Sequence, residues 1–189
     1  MENDVKVLNA LEPPPNLQYL KIEGCNTIYP NWMMSCTTIK KLELFECGKL
    51  EHLPSLGQLP FLEVFATDLL PNVKNVGDEY LGIEDSKNKR GYDIIFPNLK
   101  SLLFMNLLYR EEWIGMGGTG EEEEENVNGI VTNSIIIKIM PRLQSLTISD
   151  CPNLKSLLDY LLTAPFLTEL DISGSSTLKK RYRRGTREN

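Results

Sequence analysis

An α/β solenoid, in which short strands alternate with irregular returns and stack into one array, is the fold class predicted for this chain of 189 residues. Three observations predict it. One short pattern occurs six times, as PNLQYLKIEGC at 15–25, TTIKKLELFEC, PFLEVFATDLL, PNLKSLLFMNL, PRLQSLTISDC and PFLTELDISGS. Its first apolar anchors fall at Leu17, Ile39, Leu62, Leu99, Leu143 and Leu167, giving spacings of 22, 23, 37, 44 and 24 residues. Within each copy apolar residues alternate with polar ones, as a strand buried on one side requires.

The shared skeleton L-x-x-L-x-L-x-x-C/N is the leucine-rich-repeat signature, and three of the spacings lie in its usual window of about 20–29 residues. The array is expected to be right-handed and curved, with a parallel concave sheet and a mostly irregular convex side. One repeat cannot offset the entropy of ordering its own backbone, about 1–2 kcal/mol per residue. Only stacking on neighbours can.

Taken in order, the copies place Leu17, Leu20 and Ile22 inside, then Ile39, Leu42 and Leu44. Leu62 and Phe65 follow, with Thr67 where an apolar residue is expected. Leu99, Leu102 and Phe104, then Leu143, Leu146 and Ile148, then Leu167, Leu170 and Ile172 complete the core. Leu20, Leu42, Leu102, Leu146 and Leu170 should form one buried column. The two long spacings predict loop insertions at 78–95 and 115–139, within one domain spanning 1–189 and ending in a basic tail at 179–189. The second insertion holds Glu121–Glu125, whose mutual repulsion favours an exposed loop.

The residues between the anchors point out and form the candidate concave binding face. They are Tyr19, Lys21, Glu23, Lys41, Glu43, Phe45, Val64, Ala66 and Asp68 on the first three strands. Ser101, Leu103, Met105, Ser145, Thr147, Ser149, Glu169, Asp171 and Ser173 follow on the rest. Phe45, Leu103 and Met105 are apolar at outward positions, either packing locally or contributing to a recognition patch.

Catalytic and metal chemistry find no motif. Cys25, Cys47 and Cys151 occupy the C/N position of the repeat, where a small side chain bonds backbone groups at the turn; Cys36 lies between copies. Without a C-x-x-C pair and with His52 as the single histidine, zinc is not indicated. GMGGTG at 115–120 lacks the P-loop lysine and runs into Glu121–Glu125, so it does not cradle phosphate. No enzyme and no cofactor are expected.

No run of 18 apolar residues occurs, and MENDVKVLNALEPPP lacks the basic and then apolar character of a signal peptide. A cytoplasmic or nuclear location is expected. The net charge of −6 hides an uneven distribution. Lys179, Lys180, Arg181, Arg183, Arg184 and Arg187 against Glu188 make the tail +5 and leave −11 elsewhere. The tail reads as a solvated end or as a partner for acidic surface, with nucleic acid the weaker alternative.

Beyond the repeat itself, several blocks resemble the C-terminal region of plant coiled-coil, nucleotide-binding, leucine-rich-repeat (NB-LRR) disease-resistance proteins. VLNALEPPPNLQYLKIEGC followed by YPNWM resembles a mid-array repeat, and LEHLPSLGQLPFLE the "LPxLGxLPxL" connector followed in that family by a stretch like VKNVGDEYLG. FPNLKSLLFMNLLYREEW resembles the "FPxLxxLxFxxMxxWEEW" block, IMPRLQSLTISDCPNLKSLLDYLL the penultimate repeat and LKKRYRRGTREN the terminal "LxxRYRxGTGEDW".

The resemblance implies effector recognition and restraint of a switch domain, with a pathogen effector, a host guardee or the receptor's own nucleotide-binding domain as the protein partner. The coiled coil and nucleotide-binding switch have no counterpart in this sequence. Residues 1–12, with Val5, Leu8 and Leu11 on one face, read as half of a preceding repeat, so a fragment, truncated paralogue or partial gene model is expected. A stand-alone adaptor, for example for substrate recognition in a ubiquitin ligase, is the alternative.

Overall fold

A computed structural model describes residues 6–7, 9–11, 13–24, 29–73, 93–108, 137–157, 159–162 and 164–182. Six strands, one per copy, form a single parallel sheet: β1 (Tyr19–Glu23), β2 (Lys41–Phe45), β3 (Val64–Asp68), β5 (Ser101–Met105), β7 (Ser145–Ser149) and β8 (Glu169–Ser173). They pair in chain order and in one register, so Leu20, Leu42, Phe65, Leu102, Leu146 and Leu170 lie opposite one another. Ile22, Leu44, Thr67, Phe104, Ile148 and Ile172 form the second inward column. The chain is a leucine-rich-repeat solenoid.

The start of each strand after β1 is fixed by a shared acceptor. The Lys40 and Lys41 amides both donate to the Gln18 carbonyl, and Glu63 and Val64 donate to Lys40. Lys100 with Ser101, Gln144 with Ser145, and Thr168 with Glu169 repeat the arrangement down the array. Each strand end is fixed by a left-handed residue. Gly24, Glu46, Leu69, Asn106, Asp150 and Gly174, all with φ between 51° and 65°, stand directly after the six strands. One residue further on, Cys47 and Cys151 are buried and direct their thiols at the carbonyls of Phe45 and Ser149, at 3.4 and 3.3 Å. Ser175 occupies the same position in the last repeat and accepts the Cys151 amide at 3.0 Å. Cys25 lies outside the described residues.

The returns bury their own apolar residues. From Leu50 through Leu53, Leu56 and Leu59 to Leu62 every third residue is buried. Part of this run is a 3-10 turn, Leu56–Gln58, whose three-residue period puts such positions on one side. A second 3-10 turn, Asn31–Ser35, buries Met33.

Three expectations need correcting. Leu170 is in register but 46% exposed, because among the described residues β8 has a strand on one side only. Leu17, Leu20, Leu167 and Ile172 are half-buried at the two sheet edges for the same reason. Second, the last three residues of each supposed insertion are strands: β4 (Asp93–Ile95) and β6 (Ile137–Ile139) pair in parallel as a separate two-stranded sheet. Ile95 and Ile139 are buried, and the Phe96 and Met140 amides extend the ladder to the carbonyls of Gly57 and Ile95. The remainder of 78–95 and 115–139, including Glu121–Glu125, lies outside the described residues, as does the tail beyond Tyr182. Third, Ala66 faces outward by register yet is buried, a one-carbon side chain between Glu43 and Leu103.

The atypical third copy is accommodated by exchange of volume. Phe65 is fully buried and meets Phe104 edge-on, with ring centroids 6.1 Å apart. The smaller Thr67 lies between Leu44 and Phe104 in the neighbouring column.

Candidate recognition surface

The common register turns the outward residues into three rows that cross all six strands. The first row is Tyr19, Lys41, Val64, Ser101, Ser145 and Glu169. The second runs Lys21, Glu43, Ala66, Leu103, Thr147, Asp171, and the third Glu23, Phe45, Asp68, Met105, Ser149, Ser173. All the sequence-predicted face residues therefore share one side of one sheet.

Chemistry changes along the array. On β1 and β2 charged and aromatic groups are interlocked. Lys41 pairs with Glu43 at 2.8 Å, the Tyr19 hydroxyl donates to the same carboxylate, and Lys41 Nζ lies 5.0 Å from the Tyr19 ring centre. Lys21 pairs with Glu23 at 2.7 Å and lies 4.8 Å from the Phe45 ring centre. The cation over the Phe45 ring is a favourable arrangement for both.

Burial of Glu43 opposes its ionisation, but the hydrogen bonds from Lys41 and Tyr19 outweigh it and hold the carboxyl below its ordinary range. The hydrogen bond to Glu43 raises Tyr19, and salt bridges to Glu43 and Glu23 raise Lys41 and Lys21. These four groups keep one protonation state through neutral pH. They form a fixed charge pattern rather than groups poised to exchange a proton.

The middle of the face is apolar. Val64 on β3 and Leu103 and Met105 on β5 are half-buried around the buried Ala66. Asn106 closes the rim by donating to Asp68 at 2.7 Å. On β7 and β8 the face becomes hydroxylic and acidic, with Ser145, Thr147, Ser149 and Ser173 beside Glu169 and Asp171. Ser173 donates to Ser149 at 3.1 Å, and Ser149 to Asp150 at 2.7 Å.

Sequence reasoning placed these residues on one face but missed their cross-strand bonds. The signal was available as differences of 22 and 23 between repeat anchors, which set Tyr19 beside Lys41 and Asp68 beside Phe45. A second row, just before the strands, also escaped it: Lys100 pairs with Glu63 at 2.8 Å, and that contact holds the Glu63 carboxyl low. His52 is exposed on the return after β2.

Comparison with known proteins gives the surface its context. Residues 1–68 match the family model described as R13L1/DRL21 LRRs. The chain is 30% identical over 171 residues, 89% of its length, to a protein of Arabidopsis thaliana described as disease resistance protein At3g14460. It is 27% identical over 174 residues to disease resistance RPP13-like protein 1 of the same plant, and 32% identical over 102 residues, 52% of the chain, to disease resistance protein RGA4 of Solanum bulbocastanum. These alignments span only 10%, 15% and 10% of the respective relatives. No solved structure matches the chain. With the six-copy motif and the registered sheet, these matches show the chain to be a leucine-rich-repeat array related to plant disease-resistance proteins.

Proposed function

We propose that the array is the protein-recognition module of a plant immune receptor, acting through its concave face in the cytoplasm or nucleus. Its partner is a pathogen effector, the host protein that an effector attacks, or the nucleotide-binding domain of the receptor, which the array would hold inactive. The observation that carries the reading is the continuous outward surface, with fixed charges at one end, apolar residues in the middle and hydroxyls with acids at the other. Such a mixture suits a protein partner: apolar contact supplies affinity, and the flanking charges supply orientation and selectivity.

A binding experiment tests it. The chain is immobilised and titrated with the nucleotide-binding domain of a receptor of this class and, separately, with candidate effectors. Lys41→Glu, Leu103→Asp and Thr147→Arg should each weaken capture at least about tenfold, or about 1.4 kcal/mol. Gln58→Arg, on an exposed return, should leave it unchanged. Equal capture by all four variants would place recognition elsewhere on the molecule.

A further inference from the structure

We propose that the concave face is electrically polarised along its strands, and that its partner lies along them as an extended protein segment. That segment carries acidic groups at one end, apolar side chains in the middle and basic groups at the other. The proposal rests on the reading of this face as a protein-binding surface and adds the chemistry and orientation of what binds. It uses only β2, β3, β5 and β7, each of which has a strand on both sides.

The register continues past the strands in both directions. Just before them, the amides of Lys40, Glu63, Lys100 and Gln144 each donate to the carbonyl of the residue in the same position one repeat earlier. Lys40 and Lys100 in this row, with Arg142 two positions earlier on β7, face the single carboxylate of Glu63, which Lys100 binds at 2.8 Å. Lys40 and Arg142 are exposed, and Arg142 uses one donor on Asn98 at 2.6 Å. The strand starts are therefore positive.

The strand ends are negative. The last residue of each of these four strands and the one directly after it include Glu46, Asp68 and Asp150 but no lysine or arginine. Glu46 and Asp150 are exposed, and among the described residues no ion pair involves either. Between the rims Lys41 and Glu43 neutralise each other, and Val64, Leu103 and Met105 supply apolar surface. Lys40 and Glu46 bracket one strand and stand about 20 Å apart. The screening length at physiological salt is about 8 Å, so each rim attracts its own counter-charge without being cancelled by the other. A partner of one sign meets attraction at one rim and repulsion at the other, whereas a bipolar segment gains at both.

Fluorescence anisotropy of the 189-residue chain with three labelled peptides of about nine residues, long enough to span both rims, tests this. All share a centre of leucine and phenylalanine. One has glutamates at one end and lysines at the other, one has glutamates at both ends, and one has lysines at both. The bipolar peptide should bind at least about tenfold more tightly than either of the others at low salt, and the difference should vanish near about 1 M salt. Lys40→Glu should bind the lysine-ended peptide more tightly than wild type does, and Glu46→Lys the glutamate-ended one. Such gains cannot arise from misfolding. Equal affinity for the three peptides overturns the proposal, as does absence of either gain. Self-association of the wild-type chain that either substitution abolishes in sedimentation velocity would make a second copy the occupant, and overturns it too. If the peptides are not discriminated while Leu103→Asp still releases a protein partner, the recognition surface stands and its polarity falls.

Discussion

Thr67 carries a hydroxyl where its neighbours in the column are Leu44 and Phe104, and among the described residues its Oγ1 is the buried side-chain polar atom without a partner. Such a group costs about 1–3 kcal/mol. Thr67→Val keeps the shape and removes the hydroxyl, so it should raise stability by about 1 kcal/mol in urea unfolding; a loss would show that the hydroxyl is satisfied. Glycine at the strand ends gives a sharper contrast. Gly24 and Gly174 share a left-handed φ, but a Cβ at Gly174 would lie 2.8 Å from the Asp150 Cα, whereas Gly24 faces open space. Gly24→Ala should cost only the backbone strain, about 1 kcal/mol, and Gly174→Ala clearly more. Equal losses would mean that β7 and β8 are not packed this closely. Glu43 sets a pH dependence. Its folded value is lowered, so its stabilisation is complete above the unfolded value, near 4.5, and is lost as pH falls through the folded one. Wild type should therefore exceed Glu43→Gln in urea midpoint at neutral pH, and the gap should close in acid.

At the scale of elements, the strands were legible in the sequence because a period of two, repeated six times, identifies inward and outward residues without any tertiary information. What followed each strand was less legible. Gly24, Gly174, Asn106 and Asp150 are residue types that accept a left-handed conformation readily, but Glu46 and Leu69 adopt it too. Glu46 is held there by the hydrogen-bonded stack rather than by its own preference, its amide bonded to the Asp68 carbonyl. The strands β4 and β6 were missed because three residues show no period, and because the polar stretches before them suggested loop throughout. Their burial makes a direct prediction. Ile95→Ala should cost about 2–5 kcal/mol, as a large core side chain does. Ile94→Ala, at a position 50% exposed, should change stability by less than about 0.5 kcal/mol. If the two substitutions cost the same, the short sheet is not part of the core.

For the whole molecule, the consequence of regular spacing is that function resides in a surface assembled from separate copies. Tyr19 and Asp171 belong to repeats more than a hundred residues apart, yet register puts them on the same sheet face. The position of that face was legible in the sequence; its partner was not, because outward residues are free of the packing constraint that repeats the leucines. The repeat pattern does not foretell the openness of Leu170, because it treats every copy as interior, whereas among the described residues β8 has one neighbouring strand. Everything proposed for the concave face depends on the alternation holding in phase from strand to strand. The most direct test is thiol labelling of single cysteines at adjacent positions, in a background where Cys25 and Cys36 are serine and the buried Cys47 and Cys151 remain. Lys41→Cys, Ser101→Cys and Ser145→Cys should label freely. Leu42→Cys, Leu102→Cys and Leu146→Cys, one residue further along, should label at least about a hundredfold more slowly, since their reaction waits on opening of roughly 3 kcal/mol. Equal rates within the pairs, or a reversed order in any one strand, would contradict the register and the recognition surface built on it.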